Sequence, residues 1–141
     1  DISSIRQAAA TNLKELTAVF GSEWALNFLI PSIADIRQHH SYLRRLTAVQ
    51  ACALMATEMD PETAQTELLP LVLEMASDTV PNIRFNVAKG LQMMAPKCGS
   101  VVCDSQIRPV LALLVEDPDR DVRFFAAKAI ESLDKEFGGA K

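Results

Sequence analysis

Shifted against itself by 39 residues, the chain falls into register without a gap, and a repeat of that length constrains the fold more than any other feature. Arg6, Arg45, Arg84 and Arg123 form one column, Pro31, Pro70 and Pro109 a second, and Asp78 and Asp117 a third. Apolar positions keep the same spacing: Leu16, Met55, Met94 and Leu133 align, as do Leu13, Cys52, Leu91 and Ile130, and Ala10, Val49, Ala88 and Ala127. Gly21, Asp60, Gly99 and Gly138 share a position suited to ending a helix, because glycine enters the left-handed region without a Cβ clash.

Each copy reads as two helices. Val122, Ala126, Ile130, Leu133 and Phe137 follow one another at helical steps and mark a buried face. Ile107, Val110, Leu111 and Leu114 form the stripe of the preceding helix, which the Asp117-Pro118 turn closes. Asp60-Pro61-Glu62 supplies an N-cap, a first-turn proline and an early acid, and Ser22 and Glu23 play similar parts one copy earlier. Pro31, Pro70 and Pro109 fall inside the first helix of their copies, where the missing N–H and the ring clash should bend the axis. A lone hairpin of this size cannot bury both faces, so the copies must stack. The expected fold is an all-α solenoid of about three and a half repeats of 39 residues. It forms a single array over 1–137: the second helix of a first repeat (1–20), then repeats 22–59, 61–98 and 104–137, with a tail at 138–141. The opening inside a second helix leads us to expect further repeats ahead of Asp1.

Composition narrows the function. The 141 residues are 49% hydrophobic and 6% aromatic, as for helices burying medium-sized side chains. The net charge is −4 and no basic run exceeds Arg44-Arg45, which argues against nucleic acid. Apolar stretches such as Val110 to Val115 fall far short of the roughly 20 residues of a membrane span, so a soluble, intracellular protein is expected. Cys52, Cys98 and Cys103 lack framework spacing and read as reduced thiols. His39-His40 has no third ligand at metal spacing, and Cys98 and Cys103 have no second pair. No nucleophile elbow, phosphate loop or zinc-protease pattern occurs, so neither catalysis nor a cofactor is expected. Trp24 is read as packing between hairpins.

The repeat length, the proline of the first helix, the aspartate of the turn and the Ile/Val-Arg that opens the second helix together resemble HEAT repeats, over the whole chain. More narrowly, IRQAAATNLKEL with FGSEWA, then LIPSI with YLRRLTA, and above all PNIRFNVAKGLQ resemble the C-terminal repeats of the scaffold (A) subunits of protein phosphatase 2A, from Ile5 to about Leu133. The resemblance implies a non-catalytic subunit of the cytoplasm and nucleus. Its C-terminal repeats grip the phosphatase catalytic subunit through the turns joining first to second helices. A regulatory B-type subunit is held by repeats mostly outside this chain.

Carried onto these positions, the resemblance implies a gripping ridge made of Ser3, Ser4 and Arg6, of Ser41, Tyr42 and Arg45, of Val80, Pro81 and Asn82, and of Asp119, Arg120, Asp121 and Arg123. Val80, apolar in a turn, and Tyr42, an amphipathic anchor, are the foremost candidates. The arginine column is read first as a repeat part pairing with turn aspartates, with Arg6 and Arg45 also placed to reach partner carboxylates. Two residues depart from the pattern: His39 stands in the aspartate column and Arg44 in the column of Ile5, Ile83 and Val122, which should interrupt an Asp-to-Arg ladder there. The alternatives are another HEAT binder such as a nuclear-transport receptor, against which FNVAKGL and YLRR argue, or a HEAT-like glycosylase or lyase. A glycosylase would want a more basic face.

Overall fold

The computed structural model describes Asn12, residues 14–18, Gly21, Ala25, Asn27 and residues 30–138. The expectations for Ser3, Ser4, Arg6, Ser22, Glu23 and Trp24 lie outside those residues. Among the described residues every regular element is helical, in the order α1 (Ile30–Ile36), α2 (Tyr42–Ala56), α3 (Pro61–Thr63), a π turn (Ala64–Leu68), α4 (Leu69–Glu74), a 3-10 turn (Met75–Ser77), α5 (Pro81–Cys98), α6 (Ser100–Val102), a second π turn (Cys103–Ile107), α7 (Arg108–Leu114) and α8 (Arg120–Phe137). This is the all-α HEAT-type array that the 39-residue register calls for.

The prolines of the first helices leave a specific mark. Ahead of Pro70 the Leu69 amide bonds back to the Ala64 carbonyl, and ahead of Pro109 the Arg108 amide bonds back to Cys103, both spanning five residues instead of four. Proline brings no N–H and its ring crowds the carbonyl four residues back, so the turn before it widens by one residue. Ala25 and Asn27, ahead of Pro31, share that π conformation. Where the sequence leads us to expect a bend, the structure shows a wide turn at the same place ahead of Pro70 and Pro109.

The ends follow the shared column. Gly99 and Gly138 take φ of 86° and 83°, the left-handed region that ends a helix most cheaply at glycine. Asp60, in the same column, instead caps the next helix, its carboxylate accepting from the Thr63 amide at 3.0 Å. The first helix of the last hairpin opens at Ser100, directly after Gly99, whereas the sequence register places the start of that repeat at 104.

The second helices α2, α5 and α8 lie side by side and supply most of the core. Val49, Cys52, Met55, Ala88, Leu91, Met94 and Leu133 are buried as the columns require. The register has Ala127 packing inward with Ala126 and Ile130, but only Ala126 is fully buried; Ala127 is exposed and Ile130 half-buried. Val49 and Ala88 are each covered by the following second helix, and α8 has no such neighbour among the described residues.

Gly90 marks the close approach of α2 and α5. A Cβ built there would meet the Ala53 Cβ at 3.4 Å and the Val49 Cγ1 at 3.8 Å, ordinary contact distances. Gly90→Ala should therefore gain helix propensity without a clash and stabilise the fold by up to about 1 kcal/mol. Gly90→Leu should force the helices apart and lower stability. Urea midpoints of the two variants check this, and a destabilised alanine variant would contradict the geometry.

Candidate functional site

The turns joining first to second helices repeat one hydrogen-bond pattern. The Val80 amide donates to Asp78 Oδ1 and the Asp119 amide to Asp117 Oδ1, each at 2.9 Å. In the turn where the aspartate is replaced, the Ser41 amide donates to His39 Nδ1 at 3.0 Å. A carboxylate and a neutral imidazole thus do the same local job, holding the residue before each second helix in extended backbone so that the helix can start.

The arginine column ties neighbouring turns together. Arg45 grips Asp78 of the next repeat through Nε (2.7 Å) and Nη2 (3.1 Å), and Arg84 grips Asp117 in the same way at 2.8 and 3.0 Å. The third nitrogen of each fork turns back to its own turn: Arg45 Nη1 donates to the His39 and His40 carbonyls, Arg84 Nη1 to those of Asp78 and Thr79. Side-chain exposure is only 14% and 9% in the first pair and 16% and 8% in the second, so these bidentate bonds are largely shielded from water. Arg37 adds a further link between hairpins, its Nε lying 2.8 Å from Glu74.

These bonds shift the acids. The Arg84 guanidinium holds Asp117 below the usual carboxylate range against the opposing effect of burial, helped by the Asp119 amide. At Asp78 burial pushes upward, but bonds from Arg45 and from the Val80 amide outweigh it and the net direction is down. A carboxyl with a depressed folded-state pKa stabilises the fold above its unfolded value, near 4, and loses that contribution as pH falls through the folded value. His39 is displaced downward by desolvation and by the nearby charges of His40, Arg44 and Arg45. Its contribution is complete above about pH 6.5 and declines as pH falls through that value, because protonation removes the acceptor that Ser41 uses. The melting midpoint of the wild-type chain should drop more between about pH 7.5 and 5.5 than that of His39→Asn, which keeps an acceptor but cannot titrate. Equal drops would contradict this role.

The implied ridge residues are distributed as follows. Ser4 and Arg6 lie outside the described residues. Ser41, Val80 and Asp119 occupy the same step of successive turns, and Asp119 caps α8 by accepting from the Asp121 and Val122 amides. Tyr42 and Pro81 open their helices and are exposed, Tyr42 at 41%. Val80 is half-buried, packed partly on the core. Asn82 points back into its own helix and accepts from Asn86 Nδ2 at 2.8 Å. Arg120 and Asp121 are exposed.

The arginines divide in a way the sequence does not show. Arg45, expected also to reach a partner carboxylate, has all three of its fork nitrogens committed to Asp78 and to the turn carbonyls. Arg123 is exposed, uses Nη1 on the Asp117 and Pro118 carbonyls, and meets no carboxylate among the described residues. The pairing of the arginine column with turn aspartates is the one the sequence leads us to expect, and the partner lies in the next repeat for both Arg45 and Arg84; Arg84, Asp78 and Asp117 are not among the implied ridge residues. The interruption of the Asp-to-Arg ladder expected at His39 concerns Arg6, which lies outside the described residues; within its own turn His39 takes the aspartate's place as acceptor.

The thiols stand apart from the ridge. Cys52, Cys98 and Cys103 are free and buried; burial pushes Cys52 up to about 12 and Cys103 to about 11, the latter with a contribution from neighbouring Cys98. Thiols so protected and so weakly acidic are inert.

The HEAT repeat family model matches residues 68–98, the span from the end of the first π turn to the end of α5. A Schizosaccharomyces pombe protein described as the A-type regulatory subunit of protein phosphatase PP2A is 40% identical over 72 residues, covering 51% of this chain and 12% of that protein. The Saccharomyces cerevisiae protein of the same description is 35% identical over 78 residues, 54% of this chain and 12% of its own length. One from Pisum sativum is 49% identical over 55 residues, 38% and 14% respectively. The matched portion thus spans about an eighth of the length of these relatives.

Proposed function

From a chain that is an all-α HEAT-repeat array, similar to the regulatory A-type subunits of protein phosphatase PP2A, we propose a non-catalytic scaffold whose ridge of turns holds the catalytic subunit of the phosphatase. The observation that carries this reading is the ladder from Arg45 to Asp78 and from Arg84 to Asp117, which fixes the spacing of three successive turns. A ridge pinned in this way is preorganised, so little conformational freedom is lost when a partner docks.

The outward residues differ from rung to rung and define the partner face. The first rung presents the exposed Tyr42 and, on another face of the same helical turn, the exposed Arg44; the second presents the exposed Pro81 with the half-buried Val80; the third presents the mixed charges of Arg120, Asp121 and Arg123. The matching face offers a carboxylate, then an apolar pocket, then opposite charges in the order that Asp121 and Arg123 demand. The regulatory B-type subunit is held by repeats mostly outside this chain, and the assembly works in cytoplasm and nucleus. Affinity purification of the tagged chain from a cell extract, followed by a phosphopeptide dephosphorylation assay, tests the proposal. Co-purifying activity is expected, and its absence would overturn the reading.

A further inference from the structure

Away from the ridge, the outer faces of α5 and α8 enclose a groove of about 610 Å³ whose chemistry runs against that of the chain as a whole. Lys89 and Lys128 are 39 residues apart and hold the same step of the repeat, each against an aromatic ring: Lys89 Nζ lies 5.1 Å from the centre of Phe125, and Lys128 Nζ 5.6 Å from that of Phe124. Neither ammonium forms an ion pair among the described residues. Met93 is 45% exposed; Phe124, at 54%, holds the repeat position of half-buried Phe85, but on α8, which has no following second helix among the described residues. None of the described side chains lining the groove is acidic, although acids outnumber bases by 18 to 14 in the chain.

The groove runs on into a smaller hollow between α2 and α5, with which it shares Lys89 and Met93. Gln50 lines that hollow, and its Oε1 is buried with no hydrogen-bond partner among the described residues. Such an atom has lost water without replacing it and favours a ligand that brings a donor.

We infer that this groove is a second protein-docking surface, separate from the ridge, and that it takes an extended segment combining carboxylates with aromatic or aliphatic side chains. Two unpaired ammonium groups about one repeat apart face two carboxylates, the Phe124, Phe125 and Met93 surface takes the apolar side chains, and a backbone or side-chain N–H reaches Gln50 Oε1. The occupant is identified by charge complementarity: a cationic, aromatic strip on an otherwise anionic chain selects an acidic partner over a neutral or basic one.

The test uses a fluorescein-labelled twelve-residue peptide alternating Glu with Leu and Phe, a second peptide with Lys at every Glu position, and polyglutamate. Fluorescence anisotropy should show the acidic-apolar peptide binding at least about tenfold more tightly than either control, with affinity falling between low and high salt. Lys89→Glu with Lys128→Glu, and separately Phe124→Ala, should each lower that affinity about tenfold, with far-UV circular dichroism unchanged. Val80→Asp should leave it intact, which separates this surface from the ridge. Equal binding of all three probes, or binding indifferent to the lysine and phenylalanine variants, would overturn the inference. Light scattering decides between this occupant and a second copy of the chain: self-association abolished by Lys128→Glu would also overturn it.

Discussion

Val80→Asp should weaken capture of the phosphatase catalytic subunit by roughly tenfold or more, without unfolding the array. A valine side chain buried at an interface contributes roughly 1.5 to 3 kcal/mol by transfer, and a carboxylate placed against an apolar pocket adds a desolvation penalty. The fold has an answer to the same substitution already in place. Val80 and Asp119 hold equivalent positions, and Asp119 caps α8 with bonds of 2.9 and 3.0 Å from the Asp121 and Val122 amides. An aspartate at position 80 gains the same cap on α5, offsetting the part of the valine now packed on the core. Binding and stability should therefore separate: surface plasmon resonance with the purified catalytic subunit reports the loss, and urea unfolding a midpoint close to wild type. Undiminished binding would remove Val80 from the ridge.

Asp117→Ala is expected to cost about 3 kcal/mol of folding stability, because it leaves the shielded Arg84 guanidinium without its partner. It also removes the acceptor for the Asp119 amide, so the turn ahead of α8 loses its shape. The pair is worth less than this cost implies: removing both charges with Arg84→Met and Asp117→Leu should recover much of the loss, as for other shielded ion pairs. Chemical denaturation of Arg84→Met, Asp117→Leu and the double variant closes the cycle. A loss below about 0.5 kcal/mol for Asp117→Ala would show that the ladder is not what holds successive turns in place.

Much of the architecture could be read from periodicity, because helical faces and repeat stacking depend on where apolar side chains recur. Leu91 and Met94 are buried for that reason. The glycines at 99 and 138 end helices because only they take that backbone cheaply. What escaped the sequence depended on which group sits opposite which. The widened turns before Pro70 and Pro109 are a backbone response to a missing N–H that the proline column alone does not specify. Arg45 and Arg123 look alike in a column, yet one is consumed by Asp78 and the other is exposed, a difference set by whether a following turn aspartate is in reach. His39 resembles a break in the pattern, since an imidazole differs from a carboxylate in charge; for a backbone amide the two are interchangeable acceptors. The cationic aromatic groove was hidden for a related reason: Lys89 and Phe125 lie on neighbouring helices and meet only when the repeats stack.

The most direct test of the ridge is hydrogen–deuterium exchange of the chain with and without the phosphatase catalytic subunit. Slowed exchange is expected at the three turns, residues 37–45, 76–84 and 115–123, with the outer faces of α5 and α8 unchanged. Protection confined to those outer faces, or no protection at the turns in a complex shown to form, would contradict it.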